Sequence, residues 1–94
     1  METKFTKGKW MVEEHENDHR IYSLEDELYV AFISKKWDNH EANAMLIKEA
    51  PDLFWMLVDI VDTLKDNYIL GDEPFYSTLE EADLMIKRIA DGTT

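Results

Sequence analysis

The longest helical pattern of the chain runs from residue 41 to residue 66 and restricts the fold more than any other stretch. Between Leu53 and Leu64, at 100° per residue, the apolar side chains cover an arc of roughly 200°. A helix that lies on one flat surface needs only about half of that arc. We therefore expect this helix either to have core on two sides or to present one side to a partner.

Trp55 interrupts this pattern, because it falls in the middle of the polar arc among aspartates. An exposed Trp beside acidic residues is typical of a protein contact, since Trp is enriched at interface hot spots. The alternative is a Trp55 folded over a neighbouring loop, since Trp side chains are mostly buried. We predict a partner-binding surface made of four residues: Trp55, Asp59, Asp62 and Asp66.

Pro51 divides the helical pattern into two predicted helices. Proline has no N–H to donate and disfavours helical geometry at the residue before it, but it suits the first turn of a helix. We expect a short helix over residues 39–49 and a central helix from about Pro51 to Asp66.

A last helix is predicted from capping boxes at Ser77 and Thr78 and from a stop at Gly92. Asp83 and Lys87 form an i,i+4 pair on it. Its apolar residues share one face, which comprises Leu79, Ala82, Met85, Ile86, Ile89 and Ala90.

The segment before the helices predicts three strands joined by short acidic turns. Lys9–Glu14 places Trp10 and Val12 on one face, and Arg20–Leu24 alternates in the same way. Leu28–Ile33 has apolar residues in both registers, which is typical of a strand that lies centrally or is covered on both faces.

These elements predict an α+β fold in which a three-stranded antiparallel meander packs on two to three α-helices. We expect one domain over residues 1–94, with residues 1–8 frayed because they have little apolar content. Gly71 and Pro74 predict a turn between the last two helices, with a brief hairpin as the alternative.

The run from Glu41 to Leu53 resembles the "EANARLIAAAPELLEAL" segment of a widespread group of small phage and prophage proteins. Lys9-Trp10-Met11-Val12 matches an early "W-x-V" feature of that group. The chain departs from the group where Trp55 replaces the usual acidic residue. The resemblance implies a viral accessory protein in a bacterial host and implies nothing about catalysis.

The net charge makes some classes of binding partner improbable for this chain. The chain has 21 acidic and 10 basic residues, a net charge of −11. Such a field repels nucleic-acid phosphates and anionic membranes, so we expect no direct binding to either. The charge either keeps the protein soluble or imitates a phosphate backbone for a basic nucleic-acid-binding protein. With no cysteine, no leader and no apolar run near 18 residues, we expect the bacterial host cytoplasm.

His15, Glu16 and His19 match H-E-x-x-H, the pattern with which a helix binds zinc in peptidases. The intervening Asn-Asp pair consists of turn formers and lies between two predicted strands, which favours a hairpin tip. His40 is the remaining histidine for a third ligand. We predict no catalytic residue, no metal site and no cofactor.

The function that we predict is a phage or prophage accessory protein that is not an enzyme. It acts as an acidic protein-binding module and engages a host defence or nucleic-acid-handling protein. The alternative is a self-associating structural protein, a homodimer through Met56, Ile60 and their neighbours on the long helix. A small zinc hydrolase that uses the H-E-x-x-H residues ranks third.

Overall fold

The elements follow one another as three strands and two helices in a computed structural model that describes residues 1–67 and 75–93. In chain order they are β1 (Trp10–Glu14), β2 (Asp18–Ser23), β3 (Leu28–Ser34), α1 (His40–Asn67) and α2 (Phe75–Asp91). The predicted α+β fold with a three-stranded antiparallel meander is confirmed. The turn predicted around Gly71 and Pro74 lies outside the described residues.

The chain divides into two compact units. The sheet unit is Thr6–Leu53, and the helical unit comprises Met1–Phe5 and Phe54–Thr94. The division falls within α1. The prediction of one domain over residues 1–94 stays a prediction.

The core of the sheet unit lies between one face of the sheet and the first part of α1. β2 is the central strand and buries every second side chain: His19, Ile21 and Ser23. This period of two is that of a strand with one covered face. Ile21 clusters with Ile33 and Ala44, and the partly buried residues around them include Trp10, Val12 and Ile47. Trp10 and Val12 thus share a face, as predicted.

β3 does not have the environment that its sequence predicts. It lies at the edge of the sheet, so the prediction of a central strand is wrong. Tyr29 and Phe32 are exposed, so coverage on both faces is wrong as well. The register between β2 and β3 shifts near Tyr22, and such irregularities interrupt the alternation of faces. Apolar residues in both registers therefore arise here without double burial.

α1 is one helix of 28 residues with Pro51 inside it, so the predicted separation into two helices at Pro51 is wrong. Proline removes one backbone hydrogen bond and costs a helix interior roughly 3 kcal/mol. Packing on both sides of Pro51 opposes this cost, because Ala44 is buried in the sheet unit and Phe54 in the helical unit. Most helical stability in proteins comes from such packing.

The core of the helical unit forms between α1 and α2. Phe54, Val58 and Val61 of α1 cluster with three residues of α2, which are Leu79, Ile86 and Ala90. The Phe5 ring meets the Phe54 ring edge-on with centroids 5.0 Å apart. The backbone N–H of Lys4 donates to the carbonyl of Ala90 at 2.7 Å.

α2 begins at Phe75, so Ser77 and Thr78 lie inside the helix and the prediction that they cap its start is wrong. Its predicted stop at Gly92 is confirmed. Gly92 has a φ of 68°, its N–H donates to the carbonyl of Ile89, and the N–H of Thr93 donates to that of Arg88. These two bonds make a Schellman motif.

Candidate functional site

The four residues predicted to bind a partner lie along one stripe of α1 in the helical unit. Residues separated by four, three and four positions align on a helix, and Trp55, Asp59, Asp62 and Asp66 have this spacing. All four are exposed. Trp55 is 40% exposed and packs edge-on against the buried ring of Phe54, with centroids 5.0 Å apart. The core therefore holds the indole while one part of it faces solvent.

The three aspartates of this stripe form a row of carboxylates that we call the acidic row. Among the described residues, none of Asp59, Asp62 and Asp66 forms an ion pair. Lys65 lies between them in sequence but pairs with Asp83 of α2 at 3.1 Å. Successive carboxylates rise roughly 4.5 and 6 Å along the helix. The acidic row can therefore attract cationic groups of a partner.

The acidic residues near the first hairpin differ from the acidic row, because they form hydrogen bonds and ion pairs with residues of the sheet unit. Glu13 accepts hydrogen bonds from His15 at 3.1 Å and from the Tyr29 hydroxyl at 2.9 Å, and these bonds lower the pKa of Glu13. Glu14 accepts from Lys35 at 3.1 Å, which lowers the pKa of Glu14. This cluster therefore presents less bare charge than the acidic row.

The outer face of the sheet carries an aromatic cluster that sequence reasoning missed. The guanidinium of Arg20 lies 5.3 Å from the Phe32 ring centroid and 5.8 Å from that of Tyr29. Its Nε donates to Asp18 at 3.0 Å, and this bond raises the pKa of Arg20. Tyr22 meets Tyr29 edge-on at 5.4 Å. The sequence feature that indicates this cluster is the second set of alternating apolar residues in β3, which also fits a strand buried on both faces.

A groove lies beside this face, between β3 and the first part of α1. Its volume is about 360 Å³, and its lining includes Phe32, Trp37 and Leu46. These three side chains are 60%, 67% and 63% exposed. Exposed aromatic and aliphatic side chains that adjoin one another in this way mark contact surfaces. We call this feature the edge groove.

Residues 15–17 connect β1 to β2 at the predicted hairpin tip, whereas Asp18 and His19 lie in β2, which begins two residues before the predicted Arg20. The two histidines have separate partners. His15 contacts Glu13, whereas Nε2 of His19 lies 2.8 Å from Nδ1 of His40. His19 is 6% exposed, and its Nδ1 has no hydrogen-bond partner among the described residues. In residues 1–67 and 75–93, no group of three or more His, Asp or Glu side chains could hold a metal ion.

The two residues predicted for self-association through α1 are both exposed. Met56 is 60% exposed, and Ile60 lies one turn further along the same side of the helix. The side of α1 that meets α2 is instead formed by Phe54, Val58 and Val61. The wide apolar arc of the helix thus has one covered side and one open side in the helical unit. In the described part of the chain, neither helix has the length and apolarity to cross a membrane.

Over residues 1–94 the chain matches the family described as Salmonella phage P22 protein Y8K6. No curated protein and no solved structure matches it. The predicted phage origin is confirmed, while the resemblance of Glu41 to Leu53 to a specific prophage motif stays a prediction.

Proposed function

The chain belongs to this family of phage proteins, and from that premise we propose that it acts as an acidic module that binds a host protein. The observation that carries the proposal is the acidic row, which has no ion-pair partner among the described residues, beside a half-exposed Trp55. The partner is a basic protein of host defence or nucleic-acid handling, and binding takes place in the host cytoplasm. The match to the phage protein family supports an accessory role of this kind.

Trp55 and the acidic row supply two complementary parts of a binding surface. A Trp anchor contributes most where it enters a desolvated pocket of the partner. Carboxylates around it accelerate encounter with a positive surface and select against acidic partners. The edge contact with Phe54 limits the freedom of the indole before binding, so less entropy is lost on association.

The chemistry of the acidic row favours a partner that normally binds phosphates. Lys and Arg side chains that contact successive phosphates along a strand are arranged to meet negative charges at short, regular intervals. Asp59, Asp62 and Asp66 present three carboxylates in this manner. A host protein held on the row loses access to nucleic acid, which is the inhibition that we propose.

The experiment is affinity capture from bacterial lysate at low and high salt, with a matched pair of variants. Asp59→Asn, Asp62→Asn and Asp66→Asn together remove the row. The control neutralises three exposed acids of α2: Glu80→Gln, Glu81→Gln and Asp91→Asn. Salt-sensitive capture of one dominant protein that only the first variant loses supports the proposal. Equal losses in both variants would show that capture depends on net charge alone, and this result would overturn the proposal.

Self-association through α1 is the second candidate, and the exposure of Met56 and Ile60 favours it. Burial of this apolar side in a homodimer explains why the arc is wider than the contact with α2 requires. Met56→Glu would then convert the dimer to a monomer and leave the acidic row unchanged. We propose no catalytic role, because the two histidines of the H-E-x-x-H segment contact different partners.

A further inference from the structure

β3 is an edge strand in which a register shift interrupts the first half, while its last four residues carry neither charge nor proline. It pairs with β2 on one side only, and its seven residues, Leu28–Ser34, include no charge and no proline. Natural edge strands are commonly protected by charged side chains, prolines or short length. β1, the opposite edge, ends in two glutamates. The open side of β3 is therefore the edge of this sheet that can more readily pair with another strand.

Backbone groups on the open side of β3 are oriented to accept another strand. The N–H of Lys35 donates toward β2, to the carbonyl of Asn17 at 3.0 Å. Because directions alternate along an antiparallel strand, the N–H groups of Phe32 and Ser34 point to the open side. The same register shift, which lies beside Tyr29 on β3, restricts the regular alternation of backbone directions to the last four residues of this strand. A pairing here is short and needs additional burial from side chains.

The edge groove supplies that burial. Phe32, Trp37 and Leu46 leave on the order of 400 Å² of apolar surface exposed. Two copies would then withdraw on the order of 800 Å² from these side chains alone, before the paired strands are counted. Stable protein interfaces begin at roughly 1,200 Å² in total. The paired strands would therefore have to bury roughly 400 Å² more for a stable dimer.

Charges at the two ends of β3 identify a second copy of this chain as the occupant. Glu25, Asp26 and Glu27 precede the strand, and Lys36 follows it together with Lys35, whose ammonium already pairs with Glu14 of the same chain. In an antiparallel pairing of two copies, the acidic end of one strand lies beside the basic end of the other, twice by symmetry. A parallel pairing would set like charges together. We propose that two copies of the chain pair antiparallel through β3 and form one six-stranded sheet.

The pairing places an uncharged strand at the dimer interface. The net charge of −11 opposes association, but charges farther apart than the Debye length are largely screened at physiological salt. The proposal does not rest on the acidic row, which belongs to the helical unit. It differs from a dimer through α1 in the residues that it buries.

Analytical ultracentrifugation of the full chain over a wide concentration range tests the proposal. We expect a concentration-dependent dimer whose Kd rises at least about tenfold in Phe32→Glu, since like charges across a strand pair are destabilising. Met11→Glu is the matched control, because Met11 is exposed on the opposite edge strand. It should associate as the wild type does. Trp37→Glu, outside the strands, replaces Phe32→Glu if circular dichroism shows that the latter does not fold.

Charge reversal tests the antiparallel orientation separately. Lys36→Glu should weaken the dimer, and Glu27→Lys added to the same chain should restore it, because the two charges then attract again with reversed signs. A protein that sediments as a monomer at every concentration would overturn the proposal. So would a dimer that Met56→Glu dissociates while Phe32→Glu and Trp37→Glu leave it intact.

Discussion

The imidazoles of His19 and His40 form a hydrogen bond of 2.8 Å between Nε2 and Nδ1, and this bond joins β2 to the first residue of α1. The ring centroids lie 4.9 Å apart and the ring planes are 26° from parallel, so the two rings meet edge to edge along this bond. One ring must donate and the other must accept, because neutral imidazole has one N–H and one bare nitrogen. The buried side chain of His19 thereby has a hydrogen-bond partner at one of its two ring nitrogens.

We predict that His40→Ala lowers the free energy of unfolding by about 1–3 kcal/mol. The substitution leaves Nε2 of His19 buried without a partner, and an unsatisfied buried polar group costs about that much. Urea denaturation at neutral pH measures the loss. His15→Ala is the control, because its side chain is partly exposed and bonds the partly exposed Glu13, so we expect a change within about 0.5 kcal/mol. Equal losses in the two variants would contradict a structural role for the His19–His40 bond.

The histidines show which part of a site a sequence can predict. The turn-forming residues between His15 and His19 correctly predicted a hairpin, because turn preference is local. The partner of His19 was not predictable in this way. His40 is 21 residues away, and only the packing of α1 on the sheet brings the two rings together.

In the helices and in β3, two predictions that depend on neighbouring residues are correct, and two that depend on tertiary packing are wrong. The Asp83–Lys87 pair and the Gly92 stop were predicted correctly, since both depend on neighbours within one helix. Pro51 was predicted to begin a helix, but packing on both sides of it maintains one helix. Phe32 was predicted to be covered, because apolarity in a sequence does not distinguish a core residue from an exposed contact residue.

We predict that Trp55→Ala leaves the fold intact and weakens capture of the host partner. The lost edge contact with Phe54 and the lost partial burial should reduce the free energy of unfolding by about 1–2 kcal/mol. Thermal denaturation and affinity capture measure the two effects. Phe54→Ala is the reference for a core position, with an expected loss of about 3–5 kcal/mol. If Trp55→Ala loses as much as Phe54→Ala, Trp55 is a core residue and its contact role is wrong.

Asp83 makes the stability of the helical unit depend on pH. Its Oδ2 lies 3.1 Å from Nζ of Lys65 and 3.2 Å from Nζ of Lys87. The hydrogen bond from Lys65, with a smaller one from Lys87, holds the pKa of Asp83 below its ordinary value despite some desolvation. A carboxyl with a lowered folded pKa stabilises the protein above its unfolded pKa of about 4, and this stabilisation is lost as the pH falls through the folded value.

We therefore predict that Asp83→Asn is less stable than the wild type at pH 7 by up to about 1 kcal/mol, the usual range for exposed ion pairs. The difference should shrink below about pH 4 as the wild-type carboxyl becomes protonated. Urea denaturation across this pH range gives both curves. Asp59→Asn is the control, because Asp59 forms no ion pair among the described residues. A difference at Asp83 that stays constant down to pH 2 would exclude the ion pairs as its cause.

Gly8 and Gly92 both have positive φ, and they allow backbone strain to be separated from steric contact. A Cβ at Gly92, with φ of 68°, would meet no atom within 4 Å, so Gly92→Ala should cost only about 1–2 kcal/mol for the left-handed backbone. At Gly8, with φ of 82°, a Cβ would lie 2.7 Å from Cβ of Glu25. We predict that Gly8→Ala destabilises the protein more than Gly92→Ala in chemical denaturation. Glu25→Gly removes the contact, so Gly8→Ala in that background should cost about as much as Gly92→Ala. An unchanged cost in that background would show that the contact does not determine the difference.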